Sequence, residues 1–112
     1  MTNNETELLN NIEKNLTKIK QKNALTHCIT NSVTINDCAN AILAIGGSPF
    51  MAEDAEELEE VVSISDTLVI NIGKLSKTQI KAMEISCETA DKTNTPIILD
   101  PVGVGVTQLR NK

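Results

Sequence analysis

Short apolar runs alternate with longer amphipathic stretches along the whole chain, and this alternation limits the fold more than any other feature of the sequence. The apolar runs predict strands at 24–29, 67–72 and 97–100, with a brief strand at 50–52. Each connection between successive strands is long enough for the crossover that a parallel pairing needs. The sequence therefore predicts an α/β fold, a parallel β-sheet with helices on both faces.

Helical periodicity fills the stretches between the strands. It predicts helices at 6–22, 33–45, 53–63 and 76–92. The first carries one apolar stripe and is interpreted as a packed helix. Gly46 is placed to end the second helix in a left-handed conformation. Ser76 and Gln79 have the spacing of a capping box at the start of the fourth. The many acids of the third helix are explained most simply as its solvated face, and a metal-binding role is the weaker alternative.

Length and charge limit the partners of the chain. Its 112 residues suffice for one domain, and a net charge of −5 with a single aromatic residue argues against nucleic acid and anionic membranes. No apolar run approaches the roughly 18 residues that span a bilayer. Because the first residues are polar and acidic, they do not read as a signal peptide. We therefore expect a cytoplasmic protein with no membrane or nucleic-acid partner.

The cysteines and the single histidine do not form a recognisable reactive motif. Cys28, Cys38 and Cys87 are odd in number and widely spaced, which argues against zinc and against a disulfide framework. His27 and Cys28 are adjacent in a strand, so their side chains should face opposite sides of the sheet and make a poor catalytic dyad. Neither a Walker motif nor a dinucleotide fingerprint is present.

Polar residues follow three predicted strands, in the segments 30–32, 71–73 and 100–103. Because the carboxyl ends of parallel strands meet at one edge, these loops should converge. Asn31 would either contact a neutral polar ligand or cap the next helix. Asn71 would either bond to a neighbouring loop or contact a ligand. Asp100 would hold a magnesium ion or, in the simpler alternative, only cap or solvate a turn.

The last strand combines several signals. Ile97 to Leu99 form an unbroken apolar run, which is typical of a strand covered on both faces. Pro101 then stops the pairing, and Gly103 and Gly105 free the backbone to turn or to approach a ligand. No covering helix follows, so one edge and one face of the sheet should be open. Either this is the first part of a larger domain or a partner chain covers the open side.

Four segments in order resemble the hydroxyethylthiazole kinase family: residues 26–31 (THCITN), 40–52 (NAILAIGGSPFMA), 68–76 (LVINIGKLS) and 98–105 (ILDPVGVG). The resemblance covers the chain from about Leu8 onward. It implies a ribokinase-like α/β fold and ATP- and Mg²⁺-dependent phosphorylation of the hydroxyl of 4-methyl-5-(2-hydroxyethyl)thiazole, in thiamine salvage. It also implies a homotrimer with substrate sites between subunits.

The resemblance assigns roles to individual residues. Met51 matches the methionine that contacts the thiazole, where a polarizable thioether suits a sulfur heteroaromatic ring. Asn31 and Gly73 match loops that line the same substrate pocket. Asp100 and Gly103 match the loop near the phosphates of ATP, and Asp100 is the expected Mg²⁺ ligand.

The chain also departs from the family pattern. Family members are longer, and their ATP-contacting Arg and Thr, Gly-rich anion hole and catalytic-site Cys lie beyond residue 112. We therefore predict that residues 1–112 are the N-terminal portion of a single kinase domain, that the catalytic residues lie outside them, and that the chain alone is inactive. The alternative is a non-catalytic thiazole-binding or assembly module with an open sheet edge. An unrelated α/β binding domain is a third, weaker hypothesis.

Overall fold

The computed structural model describes all 112 residues and contains one four-stranded parallel sheet. The strands are β1 (Leu25–Ile29), β2 (Ser48–Phe50), β3 (Thr67–Asn71) and β4 (Ile97–Asp100). Their order in the sheet is β2-β1-β3-β4. Val69 pairs with Cys28 on one side and with Ile98 on the other, which sets the register of the three longer strands. The predicted parallel α/β sheet is confirmed.

Helices connect successive strands and cover both faces of the sheet. They are α1 (Asn3–Lys22), α2 (Ile35–Ala44), α3 (Leu58–Ile64) and α4 (Lys77–Thr93), and a 3₁₀ turn, Leu109–Asn111, follows β4. The chain runs from β1 to β2 in one direction and from β2 through β3 to β4 in the other. Because such crossovers are right-handed, α2 lies on one face, and α3 and α4 lie on the other.

The core lies between the sheet and the α3–α4 pair. Residues paired in register point to the same face, so Ile29, Leu68 and Ile70 all face these two helices. From the helices they meet Leu58, Val61, Val62, Ala82, Met83 and Ala90, all of which are buried. The aliphatic, nearly aromatic-free composition thus yields a single aliphatic core on one side of the sheet.

Capping residues mark the helix ends. Ser76 Oγ accepts a hydrogen bond from Gln79 N at the start of α4, and Asn94 ends that helix in a left-handed conformation with φ 54°. Gly46 adopts φ +94° after α2, as predicted, and an added Cβ there would collide with Lys20. The third helix begins later than predicted, at Leu58, because Asp54 Oδ1 accepts from Glu56 N and bends the preceding residues into a turn.

The apolar stripe predicted along α1 is not packed. Leu8, Leu9, Ile12 and Leu16 are 39–60% exposed, and no residue of α1 is buried. The helix is held to the rest of the chain near its end, where Lys22 forms an ion pair with Asp66. The interpretation of α1 as a packed helix is therefore wrong for this chain. No helix here is long and apolar enough to cross a membrane.

The prediction that β4 is covered on both faces is also wrong. Ile97, Ile98 and Leu99 are 43%, 57% and 58% exposed. The strand is fully paired to β3, but it forms the sheet edge and no helix follows it onto either face. The apolar run correctly marked a strand, whereas its covering depends on elements that this chain does not supply. The open edge and open face expected after Gly105 are present.

Candidate ligand site at the carboxyl edge of the sheet

The chain reverses its direction of winding between two adjacent strands, β1 and β3. After β1 it turns towards β2, and after β3 it turns towards β4, so the loops that leave these two strands run to opposite faces of the sheet. Such a switch point opens a crevice at the carboxyl edge of a parallel sheet, where open α/β folds bind their ligands. The four loops at this edge are 30–32, 51–53, 72–74 and 100–103. Together with Asn71, the last residue of β3, they contain every site residue predicted from the sequence.

A chain of hydrogen bonds links the side chains of Asn31, Asn71 and Asp100. Asn31 Nδ2 donates to Asn71 Oδ1 over 3.1 Å, and Asn71 Nδ2 donates to Asp100 Oδ2 over 2.8 Å. Since the Asp100 carboxylate only accepts, the orientation of the Asn71 amide is fixed. The predicted convergence of three loops is thus confirmed, and Asn71 is the residue that joins them.

Gly73 makes room for this connection. Its N–H donates to Asn71 Oδ1 over 2.8 Å, which satisfies the second lone pair of that oxygen. A Cβ on Gly73 would lie 2.9 Å from both Asn31 Nδ2 and Asn71 Oδ1. Any side chain at this position would therefore push the two asparagines apart. The structure gives Gly73 this role whether or not it also lines a pocket.

Asn31 uses most of its amide within its own loop. Its Oδ1 accepts from Val33 N and Thr34 N, at 3.1 and 3.2 Å, in a turn that precedes α2. Asn31 is therefore not the cap of α2, because Thr34 is the N-cap, and its side-chain oxygen instead closes the turn just ahead of that helix. One hydrogen on Nδ2 remains for a ligand, since the other is donated to Asn71.

Asp100 offers one oxygen to the solvent. Its Oδ2 is held by Asn71, whereas its Oδ1 has no hydrogen-bond partner in the protein. A hard, exposed carboxylate oxygen fits a magnesium ligand. No group of three or more His, Cys, Asp or Glu side chains surrounds a common point. The ligand that these residues could offer to such an ion is the single free carboxylate oxygen of Asp100.

Met51 lies at the other end of the same edge, directly after β2, where it is half-buried. Its loop is tied to β1 because His27 Nε2 donates to the carbonyl of Ala52 over 2.9 Å. Met51 is thus next to the β1 loop that contains Asn31, and two strands separate it from Asp100. The structure brings the substrate candidates and the phosphate candidate to one edge but not to one point.

Gln79 is a site residue that sequence reasoning missed. The Ser76 half of the predicted capping box forms, but the Gln79 side chain turns inward instead of returning to Ser76. Its Nε2 donates to the Thr30 carbonyl at 3.1 Å and to Glu53 Oε1 at 3.3 Å, which joins the loops after β1 and β2 to α4. The sequence signal was its position one turn before Met83 on the inward stripe of α4.

A cleft of about 340 Å³ opens beside Gln79. Its walls come from the three loops on the β2 side of the edge and from the starts of α2 and α4: Ser32, Ile35, Glu53, Lys74, Ser76 and Gln79. Lys74 Nζ donates to Ser32 Oγ across it over 3.0 Å. The lining is polar with one cation and one carboxylate, which suits a small polar molecule more than an apolar one.

His27 and Cys28 do not act together, as the alternation of the strand predicted. The His27 ring bonds to Ala52 on the core side, whereas Cys28 faces α2, where Cys38 is its neighbour. Burial, and to a lesser extent Cys38, raises the pKa of the Cys28 thiol to about 11. The thiol is therefore protonated near neutral pH and is a poor nucleophile.

We expect the stability of the chain to fall as the pH is lowered from about 7 to about 5, because of His27. Burial lowers the pKa of this fully buried ring, although its bond to Ala52 and the charge of Glu57 partly oppose the effect. Unfolded histidine binds a proton near pH 6.5, where the folded ring does not, so acid favours unfolding. Urea unfolding at several pH values measures this slope.

The variant His27→Gln provides the control for this pH dependence. Glutamine is uncharged and keeps a donor for the Ala52 carbonyl, and His27 is the only histidine in the chain. The slope between pH 7 and 5 should be smaller in the variant. Equal slopes in the two proteins would show that His27 is not the source of the pH dependence of stability.

Fold and site together define a class of protein. The chain is a parallel α/β domain with a cluster of polar side chains at the carboxyl edge of its sheet, at the switch point between β1 and β3, which is where proteins of this class bind their ligands. Comparison with known proteins then identifies the family.

A family model described as the Hydroxyethylthiazole kinase family matches residues 16–112. The chain is 67% identical over 112 residues to the hydroxyethylthiazole kinase of Methanobrevibacter smithii, and 54% identical over 104 residues to that of Clostridium tetani. A solved structure of a hydroxyethylthiazole kinase protein from Pyrococcus horikoshii superposes with a TM-score of 0.82 at 45% identity and covers 85% of this chain. The chain belongs to the hydroxyethylthiazole kinase family.

The relatives are longer than this chain. All 112 residues align with the Methanobrevibacter protein, but they span only 39% of that protein's length. They likewise span 37% of the Pyrococcus chain. The β-sheet described above therefore corresponds to a part of the relatives. The resemblance of the four segments is confirmed as a family relationship.

Proposed function

We propose that residues 1–112 are the N-terminal portion of a kinase that transfers the γ-phosphoryl group of ATP to the hydroxyl of hydroxyethylthiazole. One observation carries the proposal beyond family membership. The hydrogen-bonded chain Asn31–Asn71–Asp100 connects the loop assigned to the acceptor with the loop assigned to phosphate and metal. An acceptor site and a phosphate site must be held in fixed relation for phosphoryl transfer, which depends chiefly on positioning.

The spacing of the strands leaves room for thiazole at one end of the carboxyl edge and for the phosphates of ATP at the other. Neighbouring strands lie about 4.8 Å apart, so Asn31 after β1 and Asp100 at the end of β4 are about 10 Å apart across the sheet. Met51 lies one strand farther away. The thiazole ring would occupy the β2–β1 end against Met51 and Asn31, with its hydroxyethyl arm directed past Gly73. Its hydroxyl would then approach a phosphoryl group near the β4 end.

Asp100 and the loop around Gly103 would hold the Mg²⁺–ATP side of the site. The free Oδ1 of Asp100 supplies one hard ligand, and Asn71 holds the other oxygen so that the carboxylate cannot rotate. Bound Mg²⁺ would neutralise charge on the phosphates during transfer. The residues of this chain would then bind the acceptor, fix its direction and orient one metal ligand.

Charge stabilisation at the transferred group must come from elsewhere in the protein. The only arginine of the chain, Arg110, has its guanidinium bonded to main-chain carbonyls. The loops that lead directly into α2 and α4, residues 30–34 and 72–76, contain only one glycine, Gly73. This supports the proposal that the catalytic residues lie outside residues 1–112 and that the chain alone is inactive.

The uncovered apolar surfaces of α1 and β4 are consistent with a larger protein. We propose that its remaining part covers the β4 side, and that the protein is a cytoplasmic homotrimer, as the resemblance implies. Sedimentation of the full-length protein that contains this chain measures the oligomeric state. A monomer at assay concentration would reject the trimer without affecting the kinase proposal.

ADP release tests the proposed function. The full-length protein and the 112-residue chain are each given Mg-ATP and hydroxyethylthiazole, with folding verified by circular dichroism in the same samples. We expect thiazole-dependent ADP release from the full-length protein and none from the chain. No release from the folded full-length protein would reject the kinase and favour the non-catalytic alternative. Turnover by the chain would show that its catalytic groups are complete.

The substitution Met51→Ala is expected to weaken thiazole binding in the full-length protein about tenfold, with ATP affinity nearly unchanged. The thioether would lose its contact with the thiazole ring and the apolar area buried there, a loss of about 1–2 kcal/mol. Calorimetric titration with each ligand separately measures the two affinities. Met83→Leu, a conservative change of a buried methionine in the core, is the control and should leave both affinities unchanged. Equal losses for both ligands would contradict the assignment of Met51.

A further inference from the structure

The side chain of Arg110 lies between two loops of the candidate site and bonds to both. Its Nη2 donates to the carbonyl of Gly73 over 3.0 Å, and its Nη1 donates to the carbonyls of Val102, over 3.0 Å, and Ile72. Two of these carbonyls belong to the loop after β3, and the third belongs to the loop after β4. The guanidinium therefore forms a direct link between loops that come from different strands.

This link depends on the shape of the arginine side chain. A guanidinium is planar and presents several donors in a fixed fork, so that it reaches three carbonyls at once, whereas a lysine ammonium is a single compact centre. No carboxylate forms an ion pair with Arg110, so the contacts are those of a donor to main-chain oxygens. The positive charge is thus used for charge-assisted hydrogen bonds and not for a salt bridge.

The Gly-rich loop is built around the same side chain. A Cβ on Gly103 would lie 3.1 Å from Arg110 Cδ and 3.3 Å from its Nε, and Gly103 adopts φ +76°. Gly105 N donates to Asn111 Oδ1 over 2.7 Å, which fastens the turn that contains Arg110 to the loop. The absence of a side chain at Gly103 therefore has a local cause, namely passage of the Arg110 side chain.

We propose that Arg110 is a positioning residue for phosphoryl transfer. By bonding to the Gly73 and Val102 carbonyls, it fixes the loop 72–74, which lines the proposed thiazole site, relative to the loop 100–103. It touches neither substrate. The proposal rests on the proposed kinase function and adds a residue to it: the Asn31–Asn71–Asp100 chain links the side chains at the edge, and Arg110 links the main chains behind them.

The proposal predicts a separation of kcat from KM. Each substrate keeps its own contacts when Arg110 is lost, so the KM values for thiazole and ATP should stay within about threefold. The two loops then shift relative to one another, and a displacement of about 1 Å between reacting groups costs about 100-fold in rate. We therefore expect kcat to fall about 10- to 100-fold for Arg110→Met and for Arg110→Lys in the full-length protein.

Arg110→Lys tests whether the planar array of guanidinium donors is needed or whether a positive charge is sufficient. It keeps the charge and most of the stem, so activity above half of wild type in this variant would overturn the proposal. Unchanged kcat with a raised KM would also overturn it, because that pattern indicates direct substrate contact or a damaged pocket. If Arg110→Met does not fold, as judged by thermal unfolding, the lysine variant decides the outcome.

Two controls complete the experiment. Lys92→Met removes one exposed positive charge from the last turn of α4, where the side chain makes no hydrogen bond or ion pair, and should leave kcat unchanged. An inactive wild-type protein would refute the proposed function itself. An active wild type with fully active Arg110 variants would refute only the role of Arg110.

Discussion

Replacing Asn71 by aspartate is expected to lower kcat of the full-length protein about 100-fold. The new carboxylate would still accept from Asn31 and Gly73, but its second oxygen would face Asp100 Oδ2 at the 2.8 Å now spanned by a donated hydrogen bond. Two carboxylates at this distance must share a proton or separate. At neutral pH we expect them to separate, which removes the fixed orientation of Asp100, and misplacement of a reacting or ligating group has this cost. Steady-state ADP release measures it.

A pH profile distinguishes this mechanism from general damage. If the two carboxylates repel, a shared proton should restore part of the contact, and the activity relative to wild type should rise as the pH is lowered. Asn10→Asp, on the exposed face of α1, makes the same chemical change away from the site and should have little effect. Near-wild-type activity of the Asn71→Asp protein at neutral pH would show that Asp100 does not depend on Asn71.

The largest expected loss of stability comes from Leu68→Ala. Leu68 is fully buried in β3, between the sheet and the α3–α4 pair. Truncating a buried leucine removes transfer free energy and leaves a cavity, which together cost about 2–5 kcal/mol. This is a large part of the roughly 5–15 kcal/mol that stabilises a domain. Urea unfolding of the 112-residue chain, followed by circular dichroism, measures the difference.

Leu99→Ala is the matched control in the neighbouring strand. Leu99 pairs with Ile70 and points to the same face as Leu68, but it is 58% exposed. In the 112-residue chain the same truncation should therefore cost less than about 1 kcal/mol. In the full-length protein we expect its cost to approach that of Leu68→Ala, because we propose that the remaining part covers β4. A small cost for Leu68→Ala would contradict the assigned core.

The candidate site could be predicted in part because strand ends are encoded locally. Asn31, Gly73 and Asp100 each follow an apolar run, and a parallel sheet brings all such ends to one edge. Gln79 and Arg110 could not be found in this way, because neither follows a strand and most of their partners are main-chain carbonyls. A carbonyl belongs to every residue and leaves no trace in the sequence, so long-range contacts of this kind emerge only after folding.

The sequence alone determined the alternation of strands and helices, the parallel sheet and the identity of the family, because periodicity, capping residues and co-ordered motifs are local properties. Burial was decided by the tertiary structure. The apolar stripes of α1 and β4 look like those of α3 and β3, yet only the latter are covered, since covering requires a partner element at the right place. The structure also decided how the site is joined: Asn71 connects side chains 29 and 40 positions away from it, and Arg110 connects main-chain carbonyls 8 to 38 positions away.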